Sequence, residues 1–150
     1  MSTQAPHTSG LGWSLTQRGG RLERLSPAEC RRLLGSCAIG RLGYPCADGP
    51  RIVPMNYTVV GDRLIFRTEH YTETGRCANG HPVAFEVDQV DEFLHTGWSV
   101  LVTGEANAIT LGELRMLDLF QTPDPWPQGE RPLFLQLPLV KITGRRVHPA

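Results

Sequence analysis

Net charge is the first thing this chain lacks. Fifteen Lys and Arg residues cancel fifteen Asp and Glu, so no global field draws it to nucleic acid or to an anionic membrane. No apolar run approaches the roughly 18 residues that a membrane-spanning helix requires. Met1 to Gly20 has no apolar central block of the signal-peptide kind, and a cytoplasmic location is the resulting expectation. Cysteine and histidine are sparse and scattered. Cys30, Cys37, Cys46 and Cys77 include no Cys-x-x-Cys pair, and His7, His70, His81, His95 and His148 supply no matching pair. The spacing of a structural zinc site is missing, so no metal is expected. In a reducing compartment the four cysteines are expected as free thiols in or near the core. No nucleophile and base stand in a recognisable register, so no catalytic residue is assigned.

What is present is strand signal in a chain sized for one domain. At 150 residues a single core can bury about 70% of the unfolded surface. Residues 1–20, rich in Ser, Thr, Gln, Gly and Pro, read as a disordered tail, leaving 21–150 as the domain. Ser26, Pro27 and Glu29 spell an N-cap, a first-turn proline and a capping box. Leu25 and Cys30 can staple the entry, and Gly35 can stop the helix. The spacing therefore predicts a helix over 27–34. Ala38 to Tyr44 reads as a short strand, Pro45 to Pro50 as a loop, and Ile52 to Val60 as a strand whose Pro54 needs an edge or bulge. Gly61-Asp62 is a two-residue hairpin turn into Leu64-Ile65-Phe66. Val83–Val87 and Trp98–Ile109 are further strands, with a short helix between Thr72 and Asn79. Leu111 to Phe120 has helical apolar spacing. The four-proline stretch 121–132 is a loop, and Leu133 to Val147 is a last strand, bent at Pro138. Many antiparallel strands with short turns predict a mainly β fold with a few helices, closed as a small barrel.

Arg67-Thr68 ends a strand just before the short helix that begins near Thr72. A guanidinium with a hydroxyl and helix-start amides beside it can cradle a phosphate. Three segments give this corner a wider setting: Asp62-Arg63-Leu64-Ile65-Phe66-Arg67-Thr68, Val83-Ala84-Phe85-Glu86-Val87-Asp88, and Gly97-Trp98-Ser99-Val100-Leu101-Val102-Thr103-Gly104. In order, spacing and residue type they resemble the pyridoxamine 5′-phosphate oxidase-like flavoproteins, over about residues 22–147. The likeness is nearest to the small actinobacterial-type, nitroimidazole-resistance-like branch. It lacks the C-terminal arginine- and histidine-bearing substrate motif that vitamin B6 oxidation would need.

The resemblance implies an FMN-binding split β-barrel of six or so antiparallel strands, homodimeric, with cofactor between subunits and a small organic molecule as substrate. It implies that Arg67, Thr68 and Thr72 hold the FMN phosphate. Met55, Asn56 and Tyr57, on a strand typically reading Pro-Val-Asn-Tyr, would run beside the flavin ring. Trp98 and Ser99 would approach the cofactor of the other subunit, and Arg145 or Arg146 would stand at its edge. The sequence departs from the family at one place: Glu73 stands where the family has lysine. Arg76, four residues after Thr72 on the same helical face, is the replacement cation expected if Glu73 turns outward. Two further readings stay open. One is a reductase of the same fold using a deazaflavin coenzyme. The other is a non-catalytic flavin- or haem-binding protein with a degenerate phosphate site.

Overall fold

The computed structural model describes residues 19–117 and 122–150. In chain order these form β1 (Arg21–Arg24), α1 (Pro27–Leu34), β2 (Ile39–Cys46), β3 (Gly49–Val60), β4 (Arg63–Thr68), α2 (Glu73–Ala78), β5 (His81–Asp91), β6 (Thr96–Ala108), α3 (Leu111–Arg115), β7 (Leu133–Pro138) and β8 (Lys141–His148). Of the tail expected over 1–20, all but Gly19 and Gly20 lies outside the described residues.

Helix α1 forms where its caps place it. The Ser26 hydroxyl accepts the Glu29 amide at 3.2 Å, with Pro27 in the first turn. The Glu29 carboxylate is not turned back on the cap. It pairs instead with Arg146 of β8 at 2.7 Å, fastening the helix to the sheet. Leu25, Cys30, Leu33 and Leu34 are buried beneath it, each large apolar side chain stabilising the fold by roughly 1.5–3 kcal/mol.

Six strands close into an antiparallel barrel in the order β6-β5-β2-β3-β4-β7. The seam is where Asn107 and Ala108 of β6 meet Gln136 and Leu135 of β7. Strand β6 has two neighbours on that side. Its first part pairs with β8 from Gly97↔Val147 to Thr103↔Lys141, and β1 then adds outside β8. The core is filled from the alternating inward positions of all six barrel strands. Phe85 lies at its centre, stacked on Phe66 at 6.1 Å and met edge-on by Tyr57 at 5.0 Å.

The amide of Tyr57 donates to the Ala38 carbonyl at 3.1 Å, and the β2–β3 register runs unbroken from Ile39↔Asn56 to Cys46↔Gly49. Amide direction alternates along a strand. The nitrogens of Pro50, Pro54 and Asn56 therefore point away from β2, on a stretch that β4 does not reach, since β4 pairs only from Tyr57 onward. Pro54 thus sits at the edge position its chemistry demands. For the same reason the expected loop at 45–50 is mostly strand. Pro45 lies opposite Pro50 with neither needed as a donor, and the turn shrinks to Ala47-Asp48.

Three other expectations are corrected, and one strand is added. The last strand is two, β7 and β8, reversing at Leu139-Val140, where the Leu139 amide bonds the Asp62 carbonyl at 2.8 Å. The helix expected over 111–120 extends only over Leu111–Arg115 and buries none of its residues. Of its apolar positions Leu114 and Leu117 are half-buried, while Leu111 and Met116 stay exposed. Positions 118–120 lie outside the described residues. Strand β1 carried no periodic signal in so short a run and was not expected. Finally, Cys46 and Cys77 are joined in a disulfide with Cα atoms 5.7 Å apart, leaving only Cys30 and Cys37 as free thiols.

Candidate functional site

Strand β4 ends, α2 begins and β3 runs alongside, and between them the barrel wall opens into a cleft of about 310 Å³. Arg67, Thr68 and Thr72 line one part of it and Met55 and Asn56 another. Five residues that the sequence singles out separately are therefore brought to one place. Ile39, Val53, Pro125, Pro127 and Trp126 give it apolar walls. The Trp126 amide, in the loop before β7, donates to Asn56 Oδ1 of β3 at 3.2 Å.

The polar end is tightly organised. Thr72 caps α2, accepting the Gly75 amide at 3.1 Å and donating to the Glu69 carbonyl at 2.9 Å. Its hydroxyl lies 3.2 Å from that of Thr68, a buried side chain in an otherwise apolar core. Arg67 is oriented twice over. Its Nε donates to the Arg131 carbonyl at 3.2 Å, and its guanidinium lies 4.6 Å from the centre of the Phe134 ring, a stacked arrangement that suits the planar cation.

Arg131 also lines the cleft and was not anticipated. A single arginine in a proline-rich loop carries no sequence signal, and only the fold brings it beside Arg67. Its Nη1 lies 3.7 Å from Glu69 Oε1. Its Nε is buried and has no hydrogen-bond partner among the described residues.

The remaining expected residues lie elsewhere. Glu73 does not line the cleft. Its carboxylate takes Arg51 Nε at 3.1 Å and the Tyr44 hydroxyl at 3.3 Å, so it faces the β2–β3 hairpin. Arg51 is in turn held by Asp48 at 2.7 and 2.8 Å, which keeps the Asp48 carboxyl below its ordinary range. Arg76 is not the replacement cation within this cleft, because it points outward and donates to the Tyr71 carbonyl at 2.5 Å. Tyr57 belongs to the core at 3% exposure, its hydroxyl bonded to the Leu34 carbonyl at 2.5 Å. One-residue alternation on β3 turns Tyr57 inward. Ser99 lines a separate hollow on the outer face of β5, β6 and β8 with Arg145 and Val147, and Trp98 borders that hollow while packing against the core. That hollow shares no lining residue with the cleft. Arg146 lines a neighbouring depression beside Trp98.

This donor set fits one kind of ligand. Two guanidinium groups, from Arg67 and Arg131, can receive anionic oxygen. The apolar walls beyond can receive something flat. At about 310 Å³ the cleft is at the small end of ligand pockets, which run from about 300 to 1,000 Å³.

Comparisons with known proteins agree with the architecture. A structure of an FAD-binding protein from Mycobacterium smegmatis superposes with a TM-score of 0.64 at 29% identity, covering 84% of this chain and 98% of that one. A conserved protein of unknown function from Corynebacterium diphtheriae superposes with a TM-score of 0.69 at 27% identity, covering 84% and 98%. An uncharacterized protein of Mycobacterium tuberculosis is 38% identical over 87 residues, which is 55% of this chain and 57% of that relative's length. The sequence profile of the pyridoxamine 5′-phosphate oxidase family matches residues 26–146, and with the closed six-stranded barrel now described, the chain belongs to that family.

Proposed function

We propose that this protein is a flavoprotein that holds FMN in the β3–β4–α2 cleft and acts as an oxidoreductase on a small organic molecule. The observation that carries the reading is convergence: Met55, Asn56, Arg67, Thr68 and Thr72, dispersed over 18 positions of sequence, line one cleft. Arg67 presents positive charge at the end where a phosphate would lie. Asn56 sits on the apolar stretch, and its backbone N–H points out from β3 toward the open edge, where a ring carbonyl can accept it. Bound flavin supplies the electron and hydride chemistry, and the protein's part is positioning and exclusion of water.

In the same reading the protein is a homodimer. The outer face of β5, β6 and β8 leaves Val90 and Leu101 exposed, and the β5–β6 turn leaves Phe93 and Leu94 exposed beside it. A second copy packing there would cover this surface and bring the partner's Trp98 and the partner's Ser99 toward the cleft. FAD is the second reading, favoured by the name of the Mycobacterium smegmatis relative at 29% identity.

The test is direct. Protein purified yellow, with flavin released on heating and identified by chromatography, supports the proposal and separates FMN from FAD. Protein that takes up only a deazaflavin coenzyme replaces it with the reductase reading. Protein that binds none of these at millimolar concentration refutes it.

A further inference from the structure

Resting on the flavin reading, we infer that Arg131 supplies the cation for the ligand's phosphate, in the place left vacant by the acidic residue at position 73. Three observations lead there. The lysine that family resemblance puts at position 73 is Glu73 here, and that carboxylate is bound to Arg51 and Tyr44, outside the cleft. Arg76 is turned to the Tyr71 carbonyl. Arg131 lines the same cleft beside Arg67, carried by the loop before β7. Its Nε is buried out of reach of a ligand in the cleft, so a phosphate there would meet the terminal Nη groups.

The pairing with Glu69 does not use Arg131 up. At 3.7 Å it is well beyond the 2.7–2.9 Å of a charge-assisted hydrogen bond, and a guanidinium carries five N–H donors. The Arg67 Nε bond to the Arg131 backbone carbonyl orients the Arg67 guanidinium beside the start of the Arg131 side chain. With both arginines lining the cleft, the two planar cations form a clamp for a phosphate oxyanion without a basic residue from α2. The loop carrying Arg131 is also the loop whose Trp126 amide is tied to Asn56. The phosphate end and the ring end of the cleft are therefore set by a single segment.

The test compares FMN and FAD with riboflavin, which lacks phosphate, by fluorescence titration of the full-length protein. Wild-type protein should prefer FMN over riboflavin. Arg131→Met should lower FMN and FAD affinity by at least about tenfold, the equivalent of one charge-assisted hydrogen bond, and leave riboflavin affinity within about twofold. Arg131→Lys keeps the charge without the planar fork of donors and should show a smaller loss in the same direction. It also stands in should the methionine variant not fold. An unchanged FMN-to-riboflavin ratio in both variants overturns the assignment. If wild-type protein binds no flavin, the flavin reading fails, and inorganic phosphate alone is then the probe. A rise in melting temperature with phosphate, absent in the Arg131 variants, upholds a phosphate clamp serving another ligand. No rise in wild-type protein overturns the clamp as well.

Discussion

Reducing the Cys46–Cys77 bridge should cost the protein about 3.7 kcal/mol of folding stability. The two cysteines are 31 positions apart. For a closed loop of that length the chain-entropy relation gives about 12 cal/mol/K of denatured-state entropy removed, or ~3.7 kcal/mol at 25 °C. For a chain of this size each kcal/mol moves the melting temperature by about 2–4 °C, so a fall of roughly 7–15 °C is expected. The bridge joins the end of β2 to α2. Without it α2 stays in contact with β2 through Tyr44 to Thr74 at 3.0 Å and with β3 through Arg51 to Glu73 at 3.1 Å. The loss should therefore come from the unfolded chain rather than from undocking of the helix. Urea unfolding followed by tryptophan fluorescence measures it, comparing untreated protein, reduced protein and a Cys46→Ser/Cys77→Ser variant. Cys30 and Cys37 are already thiols, so the difference isolates one bond. Four titratable thiols in untreated, urea-unfolded protein, or coincident unfolding midpoints, would refute the reasoning.

Three more predictions follow from single residues. Burial pushes the Tyr57 phenol well above its ordinary value. The folded state then keeps its proton where the unfolded state loses it, so this contribution is complete below about pH 10 and declines above it by about 1.4 kcal/mol per pH unit. Urea midpoints from pH 9 to 11 should show the decline, and Tyr57→Phe should flatten it while losing about 1–3 kcal/mol at neutral pH through the unpaired Leu34 carbonyl. Glu73→Lys should leave FMN affinity within about twofold, since that side chain faces Arg51, and should lower stability by about 0.5 kcal/mol, as expected of an exposed pair. A tenfold gain in affinity would show that position 73 reaches the phosphate. Gly40→Ala would place a methyl 2.3 Å from the Phe85 ring and 2.8 Å from the Glu86 carbonyl. A loss of about 1–3 kcal/mol by thermal unfolding is expected, and an unchanged melting temperature would contradict the packing.

Local chemistry was legible in the sequence, and long-range meetings were not. Ser26-Pro27 and Gly61-Asp62 act within a few residues, so helix α1 and the β3–β4 hairpin could be read directly. Glu29 had the spacing of a capping box but is claimed by Arg146, a partner far along the chain that no local pattern could announce. Thr110 and Glu113 complete the reciprocal box that does form, on a helix shorter than its apolar spacing predicts. At the site, Arg67, Thr68, Thr72, Met55 and Asn56 were visible because family resemblance supplied their alignment, and the fold gathers them. Tyr57 was misplaced because side chains alternate between core and surface on a strand, and one position decides which. Arg131 and the Cys46–Cys77 pair were invisible for a shared reason. Each depends on two segments that meet only once the barrel has closed.

The prolines of the β2–β3 hairpin have a consequence beyond the barrel itself. A sheet border with a full row of free amides is a template on which another molecule can add its own strand. Along the margin of β3 that β4 does not pair, two of the four outward nitrogens between positions 50 and 56 carry no hydrogen. An incoming strand would find alternate rungs missing. Neighbouring copies can therefore gather side by side at high concentration without zipping together into fibres along this margin.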